Sequence, residues 1–333
     1  MPRLVAVLCA LLVLAGCAGT DLSKQPPSAR STIPAKDAAD AVATSTGAAP
    51  TGTAGEGPVD PAFAVDKLRL IDPCALLERD LLAQLGTPGE TSRSGFSRCS
   101  NFMKDKNKKD LAVTVDVGQS LTAELNNAKK QLAGLKSHEQ VLPGSACFVS
   151  VITQEKPGLG ITVQIGSKED EPCAPGRVVA EAVVKKLKTK PSPVTPAKGS
   201  LLTLDACSLP DKAAVTAAAG TQARTYPYGL HTCSWLGDSE EAGLDFRLGF
   251  VPRDKKFDPK QTEVDLGNGV VGYQVDGSTA FPTCTIKWVQ RLASGDEGET
   301  VEVKSAGPSK ATFNRCERAQ ALAKAVLPKI PRP

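Results

Sequence analysis

Histidine and the aromatics are scarce here: 2 His, 2 Trp, 3 Tyr and 9 Phe in 333 residues, with aromatics at 4%. Clustered aromatics are what single-strand nucleic-acid binders and lectins stack bases and sugars on, so neither class fits. A serine hydrolase needs a base, usually His, and no Gly-x-Ser-x-Gly elbow occurs. His231, near Tyr226 and Tyr228, reads as a partly exposed strand or loop histidine, and His138 as solvent-facing. No Cys-x-x-Cys pair is present, so zinc-site spacing is absent. A phosphate-cradling glycine loop is missing too. Charge is nearly balanced, with 40 basic and 36 acidic residues. The dense basic stretch from Lys104 to Lys109 lies between two predicted strands and reads as a hairpin tip in solvent. Asp238, Glu240 and Glu241 lack the spacing of a calcium loop or a glycosidase pair and read as a turn cluster. Together these absences point away from an enzyme, a metal, a cofactor or a nucleic-acid partner.

Long apolar runs are also missing, apart from Leu4 to Leu14 behind Arg3. That run is too short to span a bilayer. With its basic tip and small-residue exit it reads as an export signal over residues 1–16. It ends Leu14-Ala15-Gly16-Cys17, which resembles a bacterial lipobox. That resemblance implies a diacylglyceryl thioether on Cys17 and a lipoprotein held at the extracytoplasmic face of the cell membrane. Residues 17–63, rich in Ala, Thr, Ser, Pro and Gly, then read as a disordered tether.

Cysteine usage agrees with export. Of ten cysteines, Cys9 leaves with the signal and Cys17 carries lipid, which leaves eight in an oxidising space. Four lie between 74 and 173, spaced by 25, 48 and 26 residues; four lie between 207 and 316, spaced by 26, 51 and 32. The flanks match as well. Asp72-Pro73-Cys74-Ala75-Leu76 opens the first set and Asp205-Ala206-Cys207-Ser208-Leu209 the second, while Cys99-Ser100-Asn101-Phe102 parallels Cys233-Ser234-Trp235. The chain is therefore read as a tandem repeat of two domains, 64–188 and 200–330, joined by a Pro-rich linker at 189–199. Four cysteines in one domain allow three pairings. The pairing favoured is Cys74–Cys99, Cys147–Cys173, Cys207–Cys233 and Cys284–Cys316, each joining a helix end to a strand.

Within the first copy, Glu78 to Leu85 predicts a helix with Leu81, Leu82 and Leu85 on one side, closed by Gly86. In the second, Pro210 is expected at the first helical position and Gly220 at the close. Alternation over Leu111–Val117 predicts a half-buried strand. Phe148–Thr153 and Gly160–Ile165, flanking Lys156-Pro157-Gly158, predict a hairpin. Asn268-Gly269 fits a type I′ turn. Final helices carry stripes of Val179, Val183 and Leu187, and of Ala319, Leu322, Ala323 and Val326. Strands bracketed by helices predict α+β domains, each an antiparallel sheet with helices packed on one face.

The Asp72-Pro73-Cys74-Ala75-Leu76-Leu77 opening and Cys233-Ser234-Trp235 resemble a family of actinobacterial secreted lipoprotein domains with no assigned function, here in tandem. Asn101 stands where the Trp falls in the second copy, and Ala206 replaces Pro. A more distant likeness is to the extracellular sensor domains of mycobacterial receptor kinases. The resemblance implies an envelope protein and carries over no catalytic residues. The expected role is non-enzymatic binding or sensing of an envelope ligand or protein. The alternatives are a structural or accessory subunit of an envelope complex and, third, a secreted hydrolase. Tyr226, Tyr228 and Trp235 form the densest aromatic set and are the candidate ligand contacts, with Trp235 also read as core beside Cys233.

Overall fold

The computed structural model describes residues 58–168, 171–189, 191–277 and 281–333. The signal at 1–16, Cys17 and the tether up to residue 57 lie outside the described residues. The end of the expected tether is structured. Pro61–Phe63 forms a 3-10 turn capped by Asp60, and Phe63 is buried in the first core. A large aromatic at the end of a polar tract pins it, so the tether stops short of residue 63.

The first repeat contains α1 (Val65–Arg69), α2 (Arg79–Ala83), β1 (Gly86–Thr87), β2 (Thr91–Arg93), β3 (Arg98–Asp105) and β4 (Asp110–Ser120). It continues with α3 (Thr122–Leu125), β5 (Lys130–Leu132), β6 (Leu135–Leu142), β7 (Ala146–Gln154), β8 (Leu159–Gly166) and α4 (Cys173–Lys188). The second contains α5 (Lys212–Ala219), β9 (Arg224–Pro227), β10 (Thr232–Leu236), β11 (Glu241–Phe250), β12 (Thr262–Asp265), β13 (Val271–Gly277), β14 (Thr283–Leu292), β15 (Glu297–Ala306) and α6 (Arg315–Val326).

The two antiparallel sheets share one strand order. The first runs β1-β3-β4-β8-β7-β6-β5, with β2 also on β3; the second, read from its β9 edge, runs β9-β10-β11-β15-β14-β13-β12. Each sheet buries one face under its last long helix, α4 on β7 and β8, α6 on β14 and β15. Val179, Val183 and Leu187 fill the first interface and Ala319, Leu322, Ala323 and Val326 the second. The fold is α+β in two similar disulfide-bonded domains. Even a bulge is repeated: the register shifts at Thr153 in β7 and at Gln290 in β14, each six residues after the third cysteine of its copy.

Disulfides join Cys74 to Cys99, Cys147 to Cys173, Cys207 to Cys233 and Cys284 to Cys316. Each staples a helical turn to a strand, and closing loops of this length contributes about 3 kcal/mol apiece in the chain-entropy model. The turn before each first cysteine is set the same way. Asp72 Oδ1 accepts from Cys74 N at 2.9 Å, and Asp205 Oδ1 from Cys207 N at 3.0 Å.

Two helix ends differ from expectation. Gly86 does not close α2. It begins β1 opposite Asp105, where a Cβ would stand 2.0 Å from the Lys104 carbonyl oxygen, so close strand approach demands the glycine. Pro210 precedes α5 instead of opening it; Asp211 takes the cap and accepts from Ala214 N at 2.9 Å. Gly220 closes α5 at φ 86°. At the β12–β13 turn Asn268 and Gly269 both have positive φ, as type I′ requires.

Candidate functional site

The two repeats meet through equivalent short stretches, one in each. Counting back from Cys99 and Cys233, Gly95 matches Gly229, Phe96 matches Leu230, Ser97 matches His231 and Arg98 matches Thr232. Both stretches fold as the same turn: Ser94 N donates to Arg98 O and Tyr228 N to Thr232 O, each at 3.0 Å. Beyond it, Val117 N donates to Ser97 O at 2.9 Å and Phe246 N to His231 O at 3.0 Å, again equivalent bonds.

These turns exchange their apolar residues. Phe96, from the first repeat, is buried in the core of the second; Leu230, from the second, is buried in the core of the first. Burying side chains of this size contributes about 2 kcal/mol each. Room for Leu230 comes from a bulge at Gly118 in β4, where φ is 71° and a Cβ would lie 2.3 Å from Leu230 Cγ. Ser120 N donates to Tyr228 O at 3.3 Å across the same contact. Arg69 completes the junction. Its Nε donates to Leu230 O at 2.8 Å and its guanidinium reaches Asp205 at 3.2 Å. Burial lowers the Arg69 pKa and Asp205 opposes that.

His231 sits at the centre of this junction and is buried, not partly exposed, because the exchanged Phe96 packs on it with ring centroids 4.6 Å apart. Its Nε2 meets Leu202 O at 2.8 Å. A carbonyl only accepts, so Nε2 holds the proton and Nδ1 faces Ser97 Oγ at 3.5 Å. Burial pushes its pKa down to about 4.

Beside the exchanged turns lies a cleft of about 840 Å³, lined by residues of both repeats that include Arg98, Asp116, Tyr228, Asp245, Arg247 and Phe250. Asp116 and Asp245 are equivalent, one residue after the strand partners of Cys99 and Cys233. Their surroundings differ. Asp245 accepts from Thr232 Oγ1 at 2.8 Å and pairs with Arg247, which also reaches Glu302 at 3.2 Å. In the first repeat Arg98 stands in place of Thr232 and Gly118 in place of Arg247. Arg98 donates instead to Gln164 Oε1 at 3.2 Å. Among the described residues, the Asp116 carboxylate accepts no hydrogen bond and stands in no ion pair. Burial raises its pKa to about 6, opposed by Arg98. Burial also raises that of Asp245, opposed first by Arg247.

Neither a family model nor a curated protein matches this chain. Among solved structures, the crystal structure of the di-domain ARO/CYC BexL from the BE-7585A biosynthetic pathway aligns at a TM-score of 0.16 and 9% identity, over 83% of this chain and 93% of that chain. A likeness so weak carries no argument.

Of the aromatic candidates, Tyr228 is half exposed and lines the cleft, whereas Tyr226, paired with Ser234 on β9, does not line it. Trp235 is 1% exposed in the second core, so it is not a ligand contact; alternation along β10 turns it and Cys233 to the same inner face. His138 is half-buried on β6 opposite Ser150. Glu240 and Glu241 flank the β10–β11 turn and pair with Arg318 and Lys304. Among the described residues no group of three or more His, Cys, Asp or Glu is placed to hold a metal ion. Nor is any described helix long and apolar enough to cross a membrane. The cleft residues Arg98, Asp116, Asp245 and Arg247 were missed from sequence. The nearest sequence signal, a glycine and large apolar residue at fixed distance before the second cysteine of each copy, marks the exchanged turns and not the charged residues beside them.

Proposed function

We propose that this chain is a lipid-anchored cell-envelope protein that binds a ligand, without converting it, in the cleft between its two repeats. The observation that carries this reading is the cleft of about 840 Å³, whose wall is shared by both domains and braced by the exchanged Phe96 and Leu230. Cavities of this size suit a small ligand, and a braced wall keeps the site preformed. The oxidised cysteines fit an extracytoplasmic compartment, and a lipid on Cys17 with its tether keeps the domains near, but off, the membrane.

The test is native mass spectrometry of the full chain, exported by its own signal and purified without denaturant. The reading expects the mass of a lipidated Cys17 and a further mass that leaves on unfolding. A bare polypeptide with no bound species contradicts binding and shifts weight to an accessory subunit, for which crosslinking in the intact envelope is the next measurement. One observation favours a hydrolase as the second reading: Asp116 and Asp245, both raised by burial, line one cleft. Conversion of the released ligand by the pure protein decides for that reading.

A further inference from the structure

Resting on the cleft as the binding site, we propose that its ligand carries a protonated amine, which docks on Asp116. The inference comes from comparing two equivalent carboxylates. Asp245 has its partners within its own repeat, Thr232 and Arg247. Asp116 has lost both by sequence: the Thr232 position holds Arg98, engaged with Gln164, and the Arg247 position holds Gly118, which makes room for Leu230. What remains is a half-buried carboxylate lining an open cleft, with no hydrogen-bond donor to it among the described residues. Carboxylates without hydrogen bonds are costly to bury, and an ammonium supplies the donors that are missing.

Most other charges around the cleft are already paired. Arg247 is held by Asp245 and Glu302, Arg93 by Asp72, and Asp296 by Arg253 at 2.9 Å. His231 is neutral, with its Nε2 proton on Leu202 O. Arg98 alone opposes Asp116 across the β3–β4 pair, and it favours the ionised carboxylate that an amine requires. Glu297 lines the cleft as well.

Ligand-observed NMR with matched pairs of probes tests this on the full chain. The probes are primary amines, from small alkylamines to lysyl tripeptides, each beside its N-acetylated counterpart. The proposal expects amines to bind, their acetylated forms to bind at least tenfold more weakly, and Asp116→Asn to remove the preference while the thermal melt shows a folded protein. Amine affinity falls about tenfold per pH unit once the solution is below the Asp116 pKa. Acetylated probes binding as well as amines in the cleft overturns the amine but leaves the cleft standing. Amine binding that survives Asp116→Asn unchanged overturns it too, and no probe binding at millimolar concentration contradicts both readings.

Discussion

The two repeats solve one structural problem with different chemistry. Two residues after the second cysteine, the second repeat has Trp235 and the first has Asn101, both about 1% exposed. Trp235 fills its core by volume. Asn101 instead fastens the chain before β2: its Oδ1 accepts from Gly89 N at 3.1 Å and its Nδ2 donates to Gly89 O at 2.9 Å. The same divergence recurs one strand away, where a paired Asp245 and an unpaired Asp116 line the same cleft. Duplication lets one copy keep the stable solution while the other gives up local pairing for exchange of Leu230 and an open carboxylate.

The largest expected effect separates packing from hydrogen bonding. Trp235→Ala leaves a large cavity and costs about 3–5 kcal/mol. Asn101→Ala removes two bonds to one glycine and costs about 2 kcal/mol. Urea denaturation of both variants checks the order, and equal losses contradict the division of labour.

Next comes the exchange. Truncating Phe96 or Leu230 to Ala costs about 2–4 kcal/mol, and the two losses couple because both pegs hold one interface. Calorimetry of the double variant should show one unfolding transition become two, since each repeat keeps its own sheet, helix and disulfides. A single sharp transition in the double variant means the pegs do not join the repeats.

Acid then pulls the two halves of the junction in opposite directions. His231 has its folded pKa depressed to about 4, so its neutral form is favoured by folding. Its contribution is present above the unfolded value near 6.5 and is lost as pH falls toward 4. Asp116, raised to about 6, is the reverse: folding favours its protonated form, so stability rises as pH falls through 6. Asp116→Asn should therefore stabilise the protein at neutral pH by about 1–2 kcal/mol and steepen the loss below pH 6. Melting temperatures between pH 4 and 8 read both limbs; a variant no more stable than the parent at pH 7 argues against a burdened Asp116.

The smallest effect concerns Ser305, whose buried hydroxyl has no partner among the described residues, where the first repeat carries Ile165 opposite Cys147. Ser305→Ala should change stability by less than about 1 kcal/mol, in the stabilising direction. A clear loss in a thermal melt would show that the hydroxyl has a partner.

Much of the fold was legible because it is written in local patterns. Cysteine spacing, repeated with its Asp-x-Cys turn, marked the duplication, and alternation in Leu111–Val117 and the stripe on Val179, Val183 and Leu187 marked sheet and helix. The site was harder to see because it depends on contacts across long sequence distances. Phe96 reads like any turn aromatic until it meets His231, 135 positions on by subtraction. His231 looked exposed among Tyr226, Tyr228 and Thr232, since nothing local says that the other repeat covers it. Tyr226, Tyr228 and Trp235 cluster in the sequence as a binding set would, yet Trp235 fills the core. Asp116 gave no signal at all, because what sets it apart is the loss of partners that only its counterpart Asp245 reveals.

The most direct measurement is carboxyl ¹³C NMR of the full chain, with Asp116→Asn and Asp245→Asn used for assignment. The account predicts that Asp116 titrates near pH 6 and shifts when a primary amine is added, while Asp245, tied to Thr232 and Arg247, does not respond to the amine. An Asp116 that titrates near pH 4, or two carboxylates that respond alike, contradicts the claim that Asp116 is open to a ligand where its counterpart Asp245 is paired.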